Sequence, residues 1–214
     1  MSQDKNYVRT RFRIRGDLRF ISHHDLMRLF ARALRRSELP LAVSGGYNPR
    51  IKMSLPAALS VGMAGDNEPF DFELTRWVKP SEIKTRLTEE LPEGLDLKSV
   101  QIAATKPSRN PSELSYRVPL LRARSVTERK LEEVLARSEI VVHRQKKDKT
   151  KEVDIRPFIK ALRIRDQALH MLLKFTQRGT ARPEEVLQTL GCKPDVDYLE
   201  SRIRRNDVNL SSSP

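Results

Sequence analysis

An alternating arginine stretch near the start of the chain constrains the fold more than any other feature. It runs from Arg9 to Arg15 and has Thr10, Phe12 and Ile14 between the arginines. Because successive side chains of a β-strand point to opposite faces, this pattern predicts a strand with one apolar and one cationic face. We expect Phe12 and Ile14 to pack against helices. The cationic face then lies on the open side of the sheet and carries Arg9, Arg11, Arg13 and Arg15.

A helix is predicted directly after this strand. Ser22 is followed three residues later by Asp25, which approximates a capping box and marks the start of the helix. At 100° per residue, the apolar side chains gather on one side of the helix and the arginines on the other. His24 belongs to the arginine side and His23 to the core side. The outer face carries Arg28, Arg32 and Arg35, with Arg36 at its edge.

A glycine-containing loop follows at residues 44–52. Gly45-Gly46 and Asn48-Pro49 are typical of turns, and glycines also allow backbone N–H groups to approach a phosphate. Arg50 and Lys52 add positive charge, and Tyr47 offers a ring on which a base can stack. Together with Arg19, the strand, helix and loop therefore predict a surface that binds nucleic acid.

The charge balance agrees with this hypothesis. The formal net charge is +13, and the first 52 residues hold 12 lysines and arginines against 4 acidic residues. Such an excess favours nucleic acid, an anionic membrane or an acidic partner. No apolar run approaches the roughly 20 residues of a spanning helix, and the N-terminus has no apolar signal segment. We therefore expect a cytoplasmic protein without a membrane partner.

The residue types leave few options for resident cofactors. Cys192 is the single cysteine, which excludes an internal disulfide and an iron–sulfur cluster held by cysteines of this chain alone. Adjacent histidines diverge on a helix, so His23 and His24 do not predict a metal site. The sequence also has no Walker A, Gly-x-Gly-x-x-Gly, His-Glu-x-x-His or Gly-x-Ser-x-Gly motif. We expect no cofactor.

The order of patterns along the chain predicts the fold class. It reads strand–helix–strand–strand–helix–strand, and a similar order restarts after a proline-containing linker at residues 105–111. This predicts an α+β protein of two tandem ferredoxin-like (βαββαβ) domains with antiparallel sheets. The domains would cover residues 1–105 and 112–208, and residues 209–214 would form a disordered tail.

Two of the candidate groups have a plainer interpretation. The strand arginines can form cross-strand salt bridges with Asp71 and Glu73, although two carboxylates cannot neutralise four arginines. Such exposed pairs contribute only about 0–1 kcal/mol each. His23 and His24 can simply make ordinary hydrogen bonds in the first helical turn. In the alternative interpretation, His24 performs general acid–base catalysis on a phosphodiester, with His23 beside it.

The run from Arg19 to Gly62 resembles the uncharacterised radical-SAM-linked protein family. The family's R-F-x-S-H-x-D-L-x-R start is matched at residues 19–28, and its S-x-G-[FY]-N-P loop at residues 44–49. The chain departs from the family pattern at His24, where a hydrophobic residue is usual, and at Arg50-Ile51-Lys52 after the loop. The resemblance implies a radical SAM enzyme as the protein partner.

These observations lead to one functional prediction and two alternatives. The prediction is a non-catalytic RNA-binding accessory protein, for tRNA or rRNA, that works with a partner radical SAM enzyme. The first alternative is a metal-independent RNA endonuclease of the CRISPR-repeat-processing type. The second is a protein-interaction module that binds an acidic partner and no RNA.

Overall fold

The computed structural model describes residues 6–103, 105–108, 110–120, 126–146, 149–192 and 203–211. The chain divides into two compact units. The first comprises Met1–Asn110 with Leu210–Pro214, and the second comprises Pro111–Asn209. The sequence-based ranges 1–105 and 112–208 stay a prediction for domains that fold independently. No helix in the described ranges is long and apolar enough to cross a membrane.

In its described residues the first unit has two helices and four strands, in the order strand, helix, strand, strand, helix, strand. Its strands are β1 (Asn6–Ile14), β2 (Met53–Ser54), β3 (Ala64–Leu74) and β4 (Leu95–Ala103), and its helices are α1 (His23–Arg36) and α2 (Pro80–Glu89). β1 pairs with β3 and β4 and is antiparallel to both, while β2 pairs with β3. A short 3-10 helix, Gly16–Phe20, connects β1 to α1.

The core of the first unit forms between the sheet and α1. The buried positions of β1 are Val8, Thr10, Phe12 and Ile14. The ring of Phe30 on α1 stacks on Phe70 at a centroid distance of 4.0 Å and meets Phe12 edge-on at 5.0 Å. Because Phe70 lies opposite Thr10 in the β1–β3 register, all these rings share one sheet face. The predicted apolar face of the strand is therefore confirmed.

The start of α1 has the geometry that its sequence predicts. The Ser22 hydroxyl oxygen accepts a hydrogen bond from the backbone N–H of Asp25 at 3.1 Å, as an N-cap residue does. The same hydroxyl donates to the Asp25 carboxylate at 2.7 Å. This bond, aided by the nearby charge of Arg28, holds the pKa of Asp25 below its ordinary value. The carboxylate also faces the positive end of the helix dipole.

The described residues of the second unit form six strands and two helices. The strands are β5 (Pro111–Pro119), β6 (Val141–Lys146), β7 (Lys149–Asp154), β8 (Ile159–Arg165), β9 (Ala168–Lys174) and β10 (Arg204–Leu210); the helices are α3 (Glu128–Leu135) and α4 (Pro183–Thr189). β10, β5, β9 and β8 lie side by side in that order. β6 and β7 form an antiparallel hairpin of their own. Alternate residues of β5 and β9 are buried, including Leu114, Val118 and Leu169.

An ion pair links the β6–β7 hairpin to the start of α4. Glu185 accepts two hydrogen bonds from the guanidinium group of Arg144, at 2.7 and 2.8 Å. It also accepts the backbone N–H of Arg182 at 2.8 Å. The hydrogen bonds to Glu185 raise the pKa of Arg144 above its ordinary value. Glu185 therefore caps α4 and holds a half-buried cation at the same time.

The prediction of two tandem ferredoxin-like domains with antiparallel sheets is wrong. A ferredoxin-like domain has four strands, whereas the described part of the second unit has six, and two of these, β6 and β7, form a separate sheet of their own. The physical reason is that an alternating pattern shows which side chains of a strand are buried. It does not show at which strand a sheet ends, because that depends on edge pairing between distant segments.

The end of the chain also differs from the prediction. β10 extends to Leu210, so the first two residues of the tail predicted at 209–214 belong to a strand. Ser211 continues with a backbone hydrogen bond to the carbonyl oxygen of Asn110, at 2.9 Å. Residues 212–214 lie outside the described residues.

Candidate nucleic-acid interface

The arginines of β1 lie on the sheet face opposite α1, because the alternate residues of the strand are buried beneath that helix. Arg9 makes two hydrogen bonds to the carboxylate of Asp71, both at 2.8 Å, and one to the carbonyl oxygen of Ser108, at 2.6 Å. The Arg9 and Asp71 side chains are only 17% and 3% exposed. Arg9 is therefore a structural cation, paired with one of the two acidic residues that the salt-bridge interpretation named.

Arg11 and Arg13 of β1, and Arg15 directly after it, also have partners. Arg11 donates to the carbonyl oxygen of Asn67 at 3.1 Å. Arg13 lies 3.4 Å from a carboxylate oxygen of Asp66, and Arg15 lies 3.2 Å from one of Asp96. The Arg13 and Arg15 pairs are more exposed than the Arg9 pair, so they hold their arginines only weakly. The strand thus contributes less free positive charge than its sequence indicates.

The outer face of α1 keeps more of its charge available. Arg32 and Arg35 are exposed and, within the described part of the chain, make no ion pair. Arg28 pairs with Asp25 at 3.2 Å, one turn away on the same helix. The guanidinium group of Arg36 donates hydrogen bonds to the side-chain carboxylate and to the backbone carbonyl oxygen of Glu90. Arg28, Arg32 and Arg35 are spaced four and three residues apart, so they form one stripe along the helix.

The glycine-containing loop forms the end of a tight hairpin. Ser44 and Arg50 exchange backbone and side-chain hydrogen bonds at 2.8 and 3.0 Å, and Val43 pairs with Ile51. Gly46 has a φ of 103°, a conformation that favours glycine. At the tip, Tyr47 is fully exposed, and Asn48 and Arg50 are exposed beside it. Lys52 lies at the base, 3.9 Å from Glu73, the second predicted salt-bridge acid.

The two histidines separate as predicted. His24 is exposed at the start of the arginine stripe, whereas His23 is half-buried and lines a narrow cleft beneath the start of α1. Burial lowers the pKa of His23, and the neighbouring His24 lowers it further. At neutral pH, His23 is therefore held as the uncharged imidazole, the form that accepts a proton.

A buried carboxylate lines the same cleft and was missed by the sequence reasoning. Glu68 is only 2% exposed and lies near Arg19, Ser22 and His23 around the cleft. A Cβ atom at Gly65 would lie 2.6 Å from the Glu68 side chain, so a glycine makes room for it. A signal existed, because Glu68 shares the period-2 positions of Phe70 and Phe72 and so places an acid on the apolar face.

The lowered pKa of His23 predicts a loss of stability in acid. Between pH 6.5 and the lower pKa of the folded state, the unfolded chain binds more protons, so the free energy of unfolding falls as the pH falls. We expect His23→Gln to make this fall shallower between pH 7.5 and 5, as measured by urea denaturation. The exposed His143 provides the control, and His143→Gln should leave the slope close to wild type. An unchanged slope in His23→Gln would contradict the assignment.

Comparison with known proteins places the chain in a family without assigning it a reaction. No curated protein matches the sequence. The sequence model of a family described as "Uncharacterized protein conserved in bacteria (DUF2344)" matches residues 7–183. The match starts in β1 and ends at the first residue of α4. It therefore includes α1, the glycine-containing loop and the cleft lined by His23 and Glu68. The chain therefore belongs to this DUF2344 family of bacterial proteins.

Proposed function

We propose that the protein binds RNA, either tRNA or rRNA, as a non-catalytic accessory protein. The main support is the exposed arginine stripe of α1, in which Arg32 and Arg35 make no ion pair in the described part of the chain. Uncompensated arginines on a rigid helix suit phosphate groups, because a guanidinium group binds two phosphate oxygens at once. Since phosphates carry no sequence information, this stripe would position RNA rather than read its bases.

The glycine-containing loop at residues 44–52 adds a second type of contact. The fully exposed ring of Tyr47 buries no surface against the protein, so it is free to stack on an unpaired base. Arg50 lies near it at the tip and is also exposed. A stacking ring beside a cation favours single-stranded segments or loops over the interior of a duplex.

The protein partner in this proposal is a radical SAM enzyme in the cytoplasm. It is suggested by the resemblance of residues 19–62 to the radical-SAM-linked family, since the DUF2344 description names no partner. A single cysteine is consistent with a division of labour in which the partner holds the iron–sulfur cluster and this chain holds the RNA.

The RNA proposal is tested by fluorescence anisotropy with labelled tRNA and rRNA fragments across a salt series. The wild-type affinity should fall steeply with salt, and the double variant Arg32→Gln/Arg35→Gln should bind about tenfold or more weakly. Its log–log salt slope should be shallower by about 1.5, because two phosphate contacts are lost. The matched control, Arg129→Gln/Arg137→Gln, removes the same amount of positive charge. Arg129 lies in α3, and Arg137 lies just after its end.

Two results would overturn this assignment. One is no binding of either RNA at low salt. The other is an equal loss in the control pair, which would mean that binding follows net charge and not the stripe. Co-purification of an acidic protein after nuclease treatment, without RNA binding, would instead favour the protein-interaction module.

A metal-independent RNA endonuclease is the second candidate, favoured by the position of His24. This histidine is exposed at the start of the arginine stripe, and its ring centroid lies 6.0 Å from that of His23. It could therefore reach a ribose hydroxyl on RNA bound to the stripe and act as a general base. Labelled structured RNA incubated in chelator separates the two functions. Cleavage that is lost in His24→Ala supports the nuclease, and intact RNA supports the accessory protein.

A further inference from the structure

A row of three basic side chains crosses the sheet of the second unit. Arg117 on β5 lies opposite His170 on β9, and His170 lies opposite Arg163 on β8. They alternate along their strands with the buried Val118, Leu169 and Leu162, so the row occupies the face away from that core. The sequence does not predict this row, because its members come from three separate strands.

Arg163 and His170 of this row line a groove, and Arg117, opposite His170 in the register, lies just outside the lining of that groove. Its lining includes Ser115, Arg163, His170, Leu172 and Asn206, and it encloses about 580 Å³ of space, including its open mouth. Two polar atoms in it, Nε2 of His170 and Oδ1 of Asn206, are shielded from solvent and have no hydrogen-bond partner among the described residues. Buried polar atoms are nearly always paired, so an unpaired couple in one groove points to a missing polar ligand.

The charged side chains around the groove favour a negatively charged ligand. Within the described ranges, neither Arg117 nor Arg163 makes an ion pair. The nearest acid along β5, Glu113, is already bound to Lys160. Two arginines without an ion pair on either side of β9 create a positive potential that favours an anionic ligand. The two arginines are separated by two strand spacings, about 10 Å, so their side chains can close on one group above His170.

We propose that this groove binds a phosphate monoester, with Arg117 and Arg163 contacting its oxygens from two sides and Nε2–H of His170 donating to it. Ser115 adds a hydroxyl, Oδ1 of Asn206 can accept a hydrogen bond from a hydroxyl on the organic part of the ester, and Leu172 adds an apolar surface. A free mononucleotide and the 5′-phosphate end of an RNA chain both carry this group. The site lies wholly in the second unit and does not depend on the arginine stripe of α1.

Calorimetric titration of the full chain with adenosine 5′-monophosphate, at constant ionic strength, tests whether the groove binds a phosphate monoester. Adenosine, which lacks the phosphate, is the control ligand. Wild type should bind the phosphate and not adenosine. Arg117→Gln and Arg163→Gln should each weaken binding about tenfold or more, because each removes a charge-assisted contact. Arg178→Gln, at an exposed arginine in the turn after β9 and apart from the row, is the matched control and should bind as wild type does. Short RNAs with a 5′-phosphate or a 5′-hydroxyl then distinguish the two sources of the group.

A second measurement guards against variants that fold poorly. The imidazole NMR signals of His170 should move when the phosphate ligand is added to wild type and should stay in place with adenosine. Equal binding of both ligands, equal weakening by Arg178→Gln, or absence of binding by both phosphate ligands would overturn the proposal. The Arg32→Gln/Arg35→Gln variant should bind the nucleotide normally, so failure of the RNA stripe and failure of the groove are distinguishable.

Discussion

Replacing Asp71 with alanine is expected to lower the free energy of unfolding by about 3 kcal/mol. The substitution removes both carboxylate oxygens that bind the guanidinium group of Arg9, and leaves that cation in a site where its side chain is only 17% exposed. A charge that loses its partner in such a site keeps its desolvation cost, and this makes breaking the pair much more harmful than its net contribution. Urea denaturation followed by circular dichroism measures the change.

The matched control is Asp96→Ala on the neighbouring strand. Asp96 pairs with Arg15, but these side chains are 44% and 58% exposed, so the expected loss is less than about 1 kcal/mol. The contrast has a functional meaning, because a structural Arg9 is not available to a ligand. If Asp71→Ala cost no more than Asp96→Ala, Arg9 would have to be counted again among the candidate RNA contacts.

Replacing Glu185 with alanine is expected to cost a similar amount, about 3 kcal/mol, in the second unit. Glu185 accepts two hydrogen bonds from Arg144 and one from the backbone N–H of Arg182. Among the described residues, the substitution leaves this half-buried guanidinium group with one remaining hydrogen-bond partner, the carbonyl oxygen of Thr180. It also removes an N-terminal cap of α4. The loss of the ion pair affects the β6–β7 hairpin, and the loss of the cap affects α4.

Denaturation of Glu185→Ala and Glu133→Ala provides the comparison. Glu133 is an exposed acid on α3 that pairs with Arg129 and Lys130 along the same helix, so its removal should cost far less than that of Glu185. Hydrogen exchange should also quicken in β6 and β7 in the Glu185 variant alone. Protection of the hairpin at wild-type levels would show that Arg144 does not anchor it.

Local patterns of the sequence predicted the separate elements well. The period of two in β1 identified its buried face, and the capping pair Ser22 and Asp25 located the start of α1. The period of 3.6 separated the exposed arginines of α1 from its buried Phe30. These predictions hold because burial on one face of a strand or helix depends on residues that are neighbours in sequence.

The candidate sites depended more on contacts between distant segments. Asp71 lies 62 residues from Arg9, and only the register of β1 with β3 brings the two together. The row of Arg117, His170 and Arg163 likewise exists only because β5, β9 and β8 align in one register. Composition showed an excess of cations but not which of them were neutralised.

The sequence by itself determined elements such as β1 and α1, which face of each of these is apolar, and that the chain is strongly basic, but it predicted fewer strands than the second unit has. The tertiary structure alone decided how the strands join into sheets, which arginines are paired with carboxylates, and which remain exposed. The physical reason is the range of the interactions. Side-chain periodicity acts over a few residues, whereas strand register and ion pairing are set by edges that meet only after the chain has folded.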